Sequence, residues 1–387
     1  MEAFGDRGVT VIHVQYGRQM KGCYTPLPLN TTYHFITAPI WFPDRVPSSI
    51  SWLFRKIIYP FFFWLWICHI RRREAITHFL VREEFHSLFI LATERIFHSV
   101  NLFYQETFYN EEWGFEGYVG QKGVMARLRK AKELFKCRLK YRLLRRCDHV
   151  FVVSNRMLKD MLDKGVERGR ISVVPMGISV SDFSDMEVGE PQPRLGEFVI
   201  VYLGSLHTIR TPEVMIDAFE QAAAITPSLF FLVVGGKADE LARIRSMRPC
   251  VNNTQRYRFI GQVPHRMVWS YLRSADVGLS AIPPHPLYLA GSSTKMIEMM
   301  ACGLPVIANL EIDEQREVFE KTRALLPCSY TVNSLAGAMR EAWIRRNEIG
   351  QLGTKAKAFA MTTRSYSPMA DEMIAIMKKK VEYDQHS

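Results

Sequence analysis

The seven cysteines (Cys23, Cys68, Cys137, Cys147, Cys250, Cys302 and Cys328) include no Cys-x-x-Cys pair and no cluster at zinc-ligand spacing. An odd, scattered set in a long chain excludes a disulfide framework and reads as reduced thiols in a cytoplasmic setting. The 11 histidines form no His-Glu-x-x-His, so no metal site is expected. No stretch has the pattern of a secretory signal peptide. The longest uncharged run, Ile57 to Ile70, has 14 residues and is interrupted by Pro60. That is short of the roughly 20 apolar residues needed to span a bilayer. Neither a short-period repeat nor a long low-complexity tract occurs. With no RNA- or DNA-binding motif, nucleic acid is not expected as a partner.

What is present is enough apolar material for two cores: 387 residues, 48% of them hydrophobic. The net charge of +11 is unevenly spread. Residues 122–147 hold eleven Lys/Arg and one acid, Glu133. Within them Val124, Leu128, Ala131, Phe135, Leu139 and Leu143 recur at helical spacing. This predicts a basic amphipathic helix, either a solvated face on a packing helix or a surface for anionic membrane. Residues 52–73 pair an apolar centre with Arg55, Lys56 and Arg71 to Arg73, and carry Tyr59, Trp64 and Trp66. They read as a buried core helix or as a segment inserted in one leaflet. Two such segments in one half of the chain favour a peripheral membrane location.

The second half alternates short apolar strands with helices. Strands are expected at 198–205, 229–236, 257–263, 277–283 and 305–310. Helices are expected at 211–225, 238–247, 265–275 and from Thr294 onward. This grammar predicts a parallel, doubly wound α/β sheet. On such sheets ligands bind beyond the C-terminal strand ends, which here carry Gly204, Gly235, Gly236 and Gly261. The first half repeats the grammar, with strands at 9–16, 87–93, 99–107, 149–154 and 171–177. The polar, Gly- and Pro-containing stretch 179–197 reads as an interdomain linker. The domains are therefore 1–180 and 195–365, with a final helix within 366–387 packing back toward the first.

The stretch Ser292 to Ala308 (SSTKMIEMMACGLPVIA) is the most informative. Ser293 or Thr294 can cap a helix that Gly303 ends. Glu298 lies too far along for a capping box. An exposed stripe of Lys295, Glu298 and Cys302 is one explanation. The other places free N–H groups near 293–296 on a pyrophosphate, with Lys295 adding charge and Glu298 accepting from ribose hydroxyls.

Residues 293–318 (STKMIEMMACGLPVIANLEIDEQREV) resemble the donor-site signature of family 4 glycosyltransferases, Pro/Ser-x-Lys-x-x-Glu-x-Met-Ala-x-Gly-x-Pro-Val-Ile-Ala. The resemblance runs from about 99 to 382 and is strongest at 147–183 and 198–318. It implies the GT-B fold, two Rossmann-like domains facing a cleft. It also implies retaining transfer from a UDP- or GDP-linked sugar, with that nucleotide sugar as substrate and no cofactor or essential metal. Carried over residue by residue, Glu298 matches the ribose-binding Glu, and Lys295 lies beside the diphosphate. Arg210 stands where the family has a phosphate-binding Lys, Gly204 belongs to the phosphate loop, and Val263, after Gly261, meets the base. Ser293 and Thr294 complete the donor set. On the acceptor side Glu106 is the candidate, with Gln105 and Tyr109 beside it in the stretch 101–115.

Three departures from the family pattern stand out. Ala290 replaces the first Glu of the family's Glu-x7-Glu pair. Ser205 replaces a common Arg. The chain also begins where the family's second strand is expected, so the first strand is not represented. The reading is a peripheral enzyme on the inner face of the plasma membrane that extends a lipid-linked or oligosaccharide acceptor for a surface polysaccharide. A non-catalytic binder of nucleotide sugar or membrane, and a GT-B epimerase, are the alternatives.

Overall fold

The computed structural model describes residues 11–15, 33–37, most of 64–109, 123–180 and 196–384. Residues 52–63 of the apolar segment, 110–122 and most of the proposed linker (181–195) lie outside the described residues. The chain divides into two compact units. One comprises residues 1–152, 161–172 and 367–387, and the other 153–160 and 173–366.

In the first unit, β1 (Val11–Gln15) pairs in parallel with β2 (Tyr33–Thr37). A four-stranded sheet then takes β3 (His78–Arg82), β4 (Asn101–Glu106), β5 (His149–Val152) and β6 (Ile171–Val173) in that spatial order. Between β3 and β4 runs α1 (Phe85–Phe97), between β4 and β5 runs α2 (Val124–Leu144), and α3 (Asn155–Asp163) follows β5. The residues 87–93 expected as a strand are helical. The apolar run SLFILAT fits either period, and Leu88 and Leu91, three apart and both buried, take the helical one. The sheet position is filled by β3, whose flanking His and Arg residues hid it.

Asp148 ties these elements together. One carboxylate oxygen accepts from the Leu102 amide at 2.8 Å, and the other from Arg95 of α1 at 2.8 Å. The basic helix expected at 122–147 is present. Its last turns are buried (Lys140, Tyr141, Leu143 and Leu144), while its first turns hold Val124, Leu128 and Phe135 in solvent at 71%, 59% and 68% exposure.

The second unit is one six-stranded sheet in the order β12-β11-β10-β7-β8-β9. Its strands are β7 (Phe198–Leu203), β8 (Leu229–Val234), β9 (Tyr257–Ile260), β10 (Val277–Ser280), β11 (Val306–Asn309) and β12 (Leu325–Cys328). All paired neighbours run parallel. Every residue of β7 and β8 is buried, which is why these strands read as continuous apolar runs rather than alternating ones.

The helices in chain order are α4 (Pro212–Ile225), α5 (Ala238–Met247), α6 (His265–Arg273), α7 (Pro286–Leu289) and α8 (Thr294–Ala301). They continue with α9 (Asp313–Thr322), α10 (Val332–Ile344) and α11 (Ile349–Thr363). Ile216 and Phe219 of α4 pack with Leu335 and Met339 of α10 on one face of the sheet. Trp269 of α6, Met296 and Met300 of α8 and Ala356 of α11 fill the other. This is the doubly wound arrangement expected.

The unit boundary falls earlier than the polar stretch suggested. Ser154 donates to the Ala290 carbonyl at 2.6 Å, and the Met176 amide donates to Ser292 at 2.9 Å. Ile178 bridges to Ser365. These bonds enrol 153–160 and 173–178 in the second unit. The last helix, Tyr366–Asp384, belongs from residue 367 on to the first.

Candidate functional site

The C-terminal ends of the six strands, where ligands of parallel sheets bind, are built around close backbone contacts. Gly235 has φ +115° and lies so near Gly204 that a side-chain carbon would meet the Gly204 carbonyl oxygen at 2.3 Å. Gly235 also donates its amide to Ile260 at 2.9 Å and Gly261 at 3.2 Å. One glycine without a Cβ thus draws together the ends of β7, β8 and β9.

The loop after Gly204 is held from below by Glu240 on α5, which is buried. Its carboxylate accepts from the Leu206 amide at 3.1 Å, the Lys237 amide at 3.0 Å and the Ser205 hydroxyl at 3.3 Å. Arg243 adds a bond to the Leu206 carbonyl at 2.9 Å. Arg210 ends the loop in a short 3-10 turn. Its guanidinium carbon lies 4.2 Å from the centre of the Tyr288 ring, and no carboxylate pairs with it among the described residues.

The second cluster is on α8. Lys295 Nζ lies 3.0 Å and 3.3 Å from the two Glu298 oxygens. His265, the first residue of α6, brings Nε2 to 3.2 Å of Glu298 Oε1. Glu298 is almost wholly buried, while Lys295 and His265 keep about half their side-chain surface, 44% and 51%. The two charges that prompted the helix reading therefore pair with each other, and a histidine absent from that reading completes the group. Val263 is half-buried against the same core face.

The N–H groups expected to be open at 293–296 are partly taken. Ser293 is the N-cap, its hydroxyl accepting from the Met296 amide at 3.3 Å. Its own amide donates to Glu314 at 2.6 Å. The amides of Thr294 and Lys295 have no partner among the described residues. Ser293 thus shapes the turn, and Thr294 and Lys295 hold the open donors. Buried Glu314 also accepts from Ser292 at 2.5 Å and from Arg364 at 2.7 Å. Neither Glu314 nor Arg364 is signalled by spacing, since their partners (Ser292, the Ser293 amide, the Met176 carbonyl and each other) are brought near only by folding. Ala290 is buried at 1% exposure.

Glu106 corrects the acceptor-side expectation. It is fully buried at the end of β4 in the first unit, 2.7 Å from the equally buried Lys140 of α2. A sealed ion pair offers no carboxylate to an acceptor. Tyr109 is also buried, with Lys164 Nζ 5.3 Å from its ring centre. Gln105 is half-buried on β4. Residues 110–115 of that stretch lie outside the described residues.

Comparison with known proteins follows the same division. Residues 197–344 match the family model described as glycosyl transferases group 1. Residues 108–182 match the model described as glycosyltransferase family 4. A D-inositol 3-phosphate glycosyltransferase of Mycobacteroides abscessus is 22% identical over 214 residues, 53% of this chain and 46% of that protein. The chain thus spans about half the length of that relative. Among solved structures, sucrose-phosphate synthase of Thermosynechococcus elongatus has a TM-score of 0.70 at 17% identity, covering 99% of this chain and 92% of that one. Anabaena HepE in complex with UDP has a TM-score of 0.60 at 15% identity, covering 78% of each chain. These likenesses fix the fold as GT-B. Both matching family models describe glycosyltransferases, the family 4 model over 108–182 and the group 1 model over 197–344.

Proposed function

We propose that this protein moves a sugar from a UDP- or GDP-linked donor, with retention of configuration, to a lipid-linked saccharide at the inner face of the plasma membrane. The observation that carries the donor half is the group at the C-terminal sheet edge. There a buried Glu298, Lys295 beside it and, among the described residues, two unpartnered amides at the start of α8 and an Arg210 without an acidic partner suit a ribosyl diphosphate. HepE, of the same fold, was solved with UDP and with UDP-glucose, which supports a nucleotide sugar here.

In this reading Glu298 accepts hydrogen bonds from the ribose hydroxyls, and Lys295 turns to the diphosphate. Arg210 takes the charge that grows on the leaving phosphate, so catalysis is electrostatic and positional. The bond from the sugar's anomeric carbon to the phosphate oxygen breaks, and the bond to the acceptor oxygen forms on the same face. The acceptor's proton passes to the leaving phosphate. No cofactor is assigned a role.

The membrane half rests on α2, where Val124, Leu128 and Phe135 stand in solvent among Arg127, Lys130, Lys132 and Arg138. Among the described residues no helix is long and apolar enough to cross a membrane. A helix lying in the interface is the alternative these side chains suit. Ala290 favours a second reading, a protein that binds nucleotide sugar without turning it over.

Incubation with UDP- and GDP-sugars and polyprenyl-diphosphate-linked saccharides, followed by NMR of the new linkage, tests the proposal. Nucleotide release with the donor's anomeric configuration kept is expected. An inverted linkage would refute retention, and tight nucleotide binding with no turnover on any acceptor would favour the second reading. Sedimentation with anionic but not zwitterionic liposomes is expected. A chain that ignores both would remove the membrane half.

A further inference from the structure

Among the described residues, Arg210 is a donor-site cation whose placement no ion pair explains. Its neighbours are aromatic. The guanidinium carbon stands 4.2 Å from the centre of the Tyr288 ring, close enough for a cation–π and stacking contact that a planar guanidinium favours. Its backbone is gripped separately. The Tyr330 hydroxyl donates to the Arg210 carbonyl at 3.0 Å and lies 2.7 Å from the Thr211 hydroxyl. Thr211 has φ +40°, a left-handed conformation that a β-branched residue rarely adopts, so the turn after Arg210 needs such a fastening. Tyr288 comes from α7, in the loop after β10, and Tyr330 from the loop after β12. Burial raises both phenols above the ordinary tyrosine range, while the Arg210 charge draws each back.

We infer that Tyr288 and Tyr330 are positioning residues for the diphosphate, holding the Arg210 guanidinium by its face and its backbone so that no carboxylate need neutralise it. The inference rests on the donor-site reading above and deepens it. A carboxylate partner would hold Arg210 equally well but cancel the charge the diphosphate needs. An aromatic face orients the cation and leaves its N–H edge free to donate.

The test compares a nucleoside diphosphate with its monophosphate, since only the former requires the cation beyond the first phosphate. Calorimetric affinities for the pairs UDP/UMP and GDP/GMP would be measured on the full chain and on variants. The wild type should prefer one diphosphate over its monophosphate, and Arg210→Ala should lose most of that preference. Tyr288→Leu should lower the preference by roughly two- to five-fold with monophosphate affinity unchanged, and Tyr288→Phe should retain it. Tyr330→Phe should also lower it. A merely structural role for the tyrosines would weaken both members of a pair alike. If Tyr288→Leu does not fold, Arg210→Lys serves instead, keeping the charge but losing the planar stack, with the same fall expected.

If Arg210→Ala loses the preference but Tyr288→Leu or Arg210→Lys keeps it, the inference is overturned while the donor site stands. If the wild type binds neither pair, the donor-site reading fails and this inference with it.

Discussion

Glu298 is nearly sealed from water, yet its charge is answered from two sides, by Lys295 at 3.0 Å and His265 at 3.2 Å. A carboxylate so placed is held in one orientation before any ligand arrives. Glu106 shows the opposite use of a buried acid. With Lys140 at 2.7 Å and both side chains at 0% exposure, the pair anchors α2 to β4. Removing one partner of such a pair leaves an uncompensated buried charge, at a cost of about 3–5 kcal/mol. Lys140→Met is therefore expected to destabilise the first unit by that order in urea unfolding, and Glu106→Gln added to it should restore much of the loss. Equal stability of Lys140→Met and wild type would show that the pair is not closed in solution. At this scale the sequence disclosed Lys295 and Glu298 because a motif fixes their spacing. It could not disclose His265, Glu314 or Arg364, or the partner of Glu106, because each contact joins residues far apart in the chain.

The elements of the second unit were largely readable, because strands buried on both faces leave continuous apolar runs and their helices carry ordinary signals, such as Pro212 at the start of α4. The first unit was harder. The apolar run at 87–93 fits strand and helix equally by composition, and only the contacts of Leu88 and Leu91 decide for the helix. Glycine placement carries the finest information at this scale. Gly235 lets the turn after β8 close on Gly204, and an added carbon would sit 2.3 Å from that carbonyl in a backbone at φ +115°. Gly235→Ala must therefore shift one of the two turns. It is expected to destabilise the second unit by about 1–3 kcal/mol and to weaken nucleotide binding beside it. A variant with wild-type melting temperature and nucleotide affinity would show that this turn is not part of the site.

Over the whole molecule, burial holds several acidic groups neutral. The thiols of Cys147, Cys302 and Cys328 are pushed up from 9.0 to about 12, first by burial. The phenol of Tyr202 is likewise raised from 10.0 to about 12. In each case the unfolded chain loses its proton at lower pH than the folded one. The folded state therefore keeps its full stability below about pH 9 and loses it progressively as pH climbs from there toward 12. Melting temperatures across that window are expected to fall more for wild type than for Cys147→Ala, compared at the drop from pH 8. A flat profile would mean these thiols are accessible.

The charge distribution is the other property of the whole chain. Most of the excess of +11 lies in one stretch, residues 122–147, with eleven Lys/Arg against Glu133, a pattern legible from sequence. The acceptor is not legible because Glu106 and Tyr109 at the end of β4 are buried. The central claim is that the sheet edge around Glu298 holds a nucleotide, and calorimetry with UDP and GDP on the wild type and on Glu298→Ala tests it most directly. One of the two is expected to bind the wild type, and the substitution to weaken it by about 1–3 kcal/mol, with the fold intact by circular dichroism. Binding of neither nucleotide by well-folded wild type, or equal binding by Glu298→Ala, would contradict it.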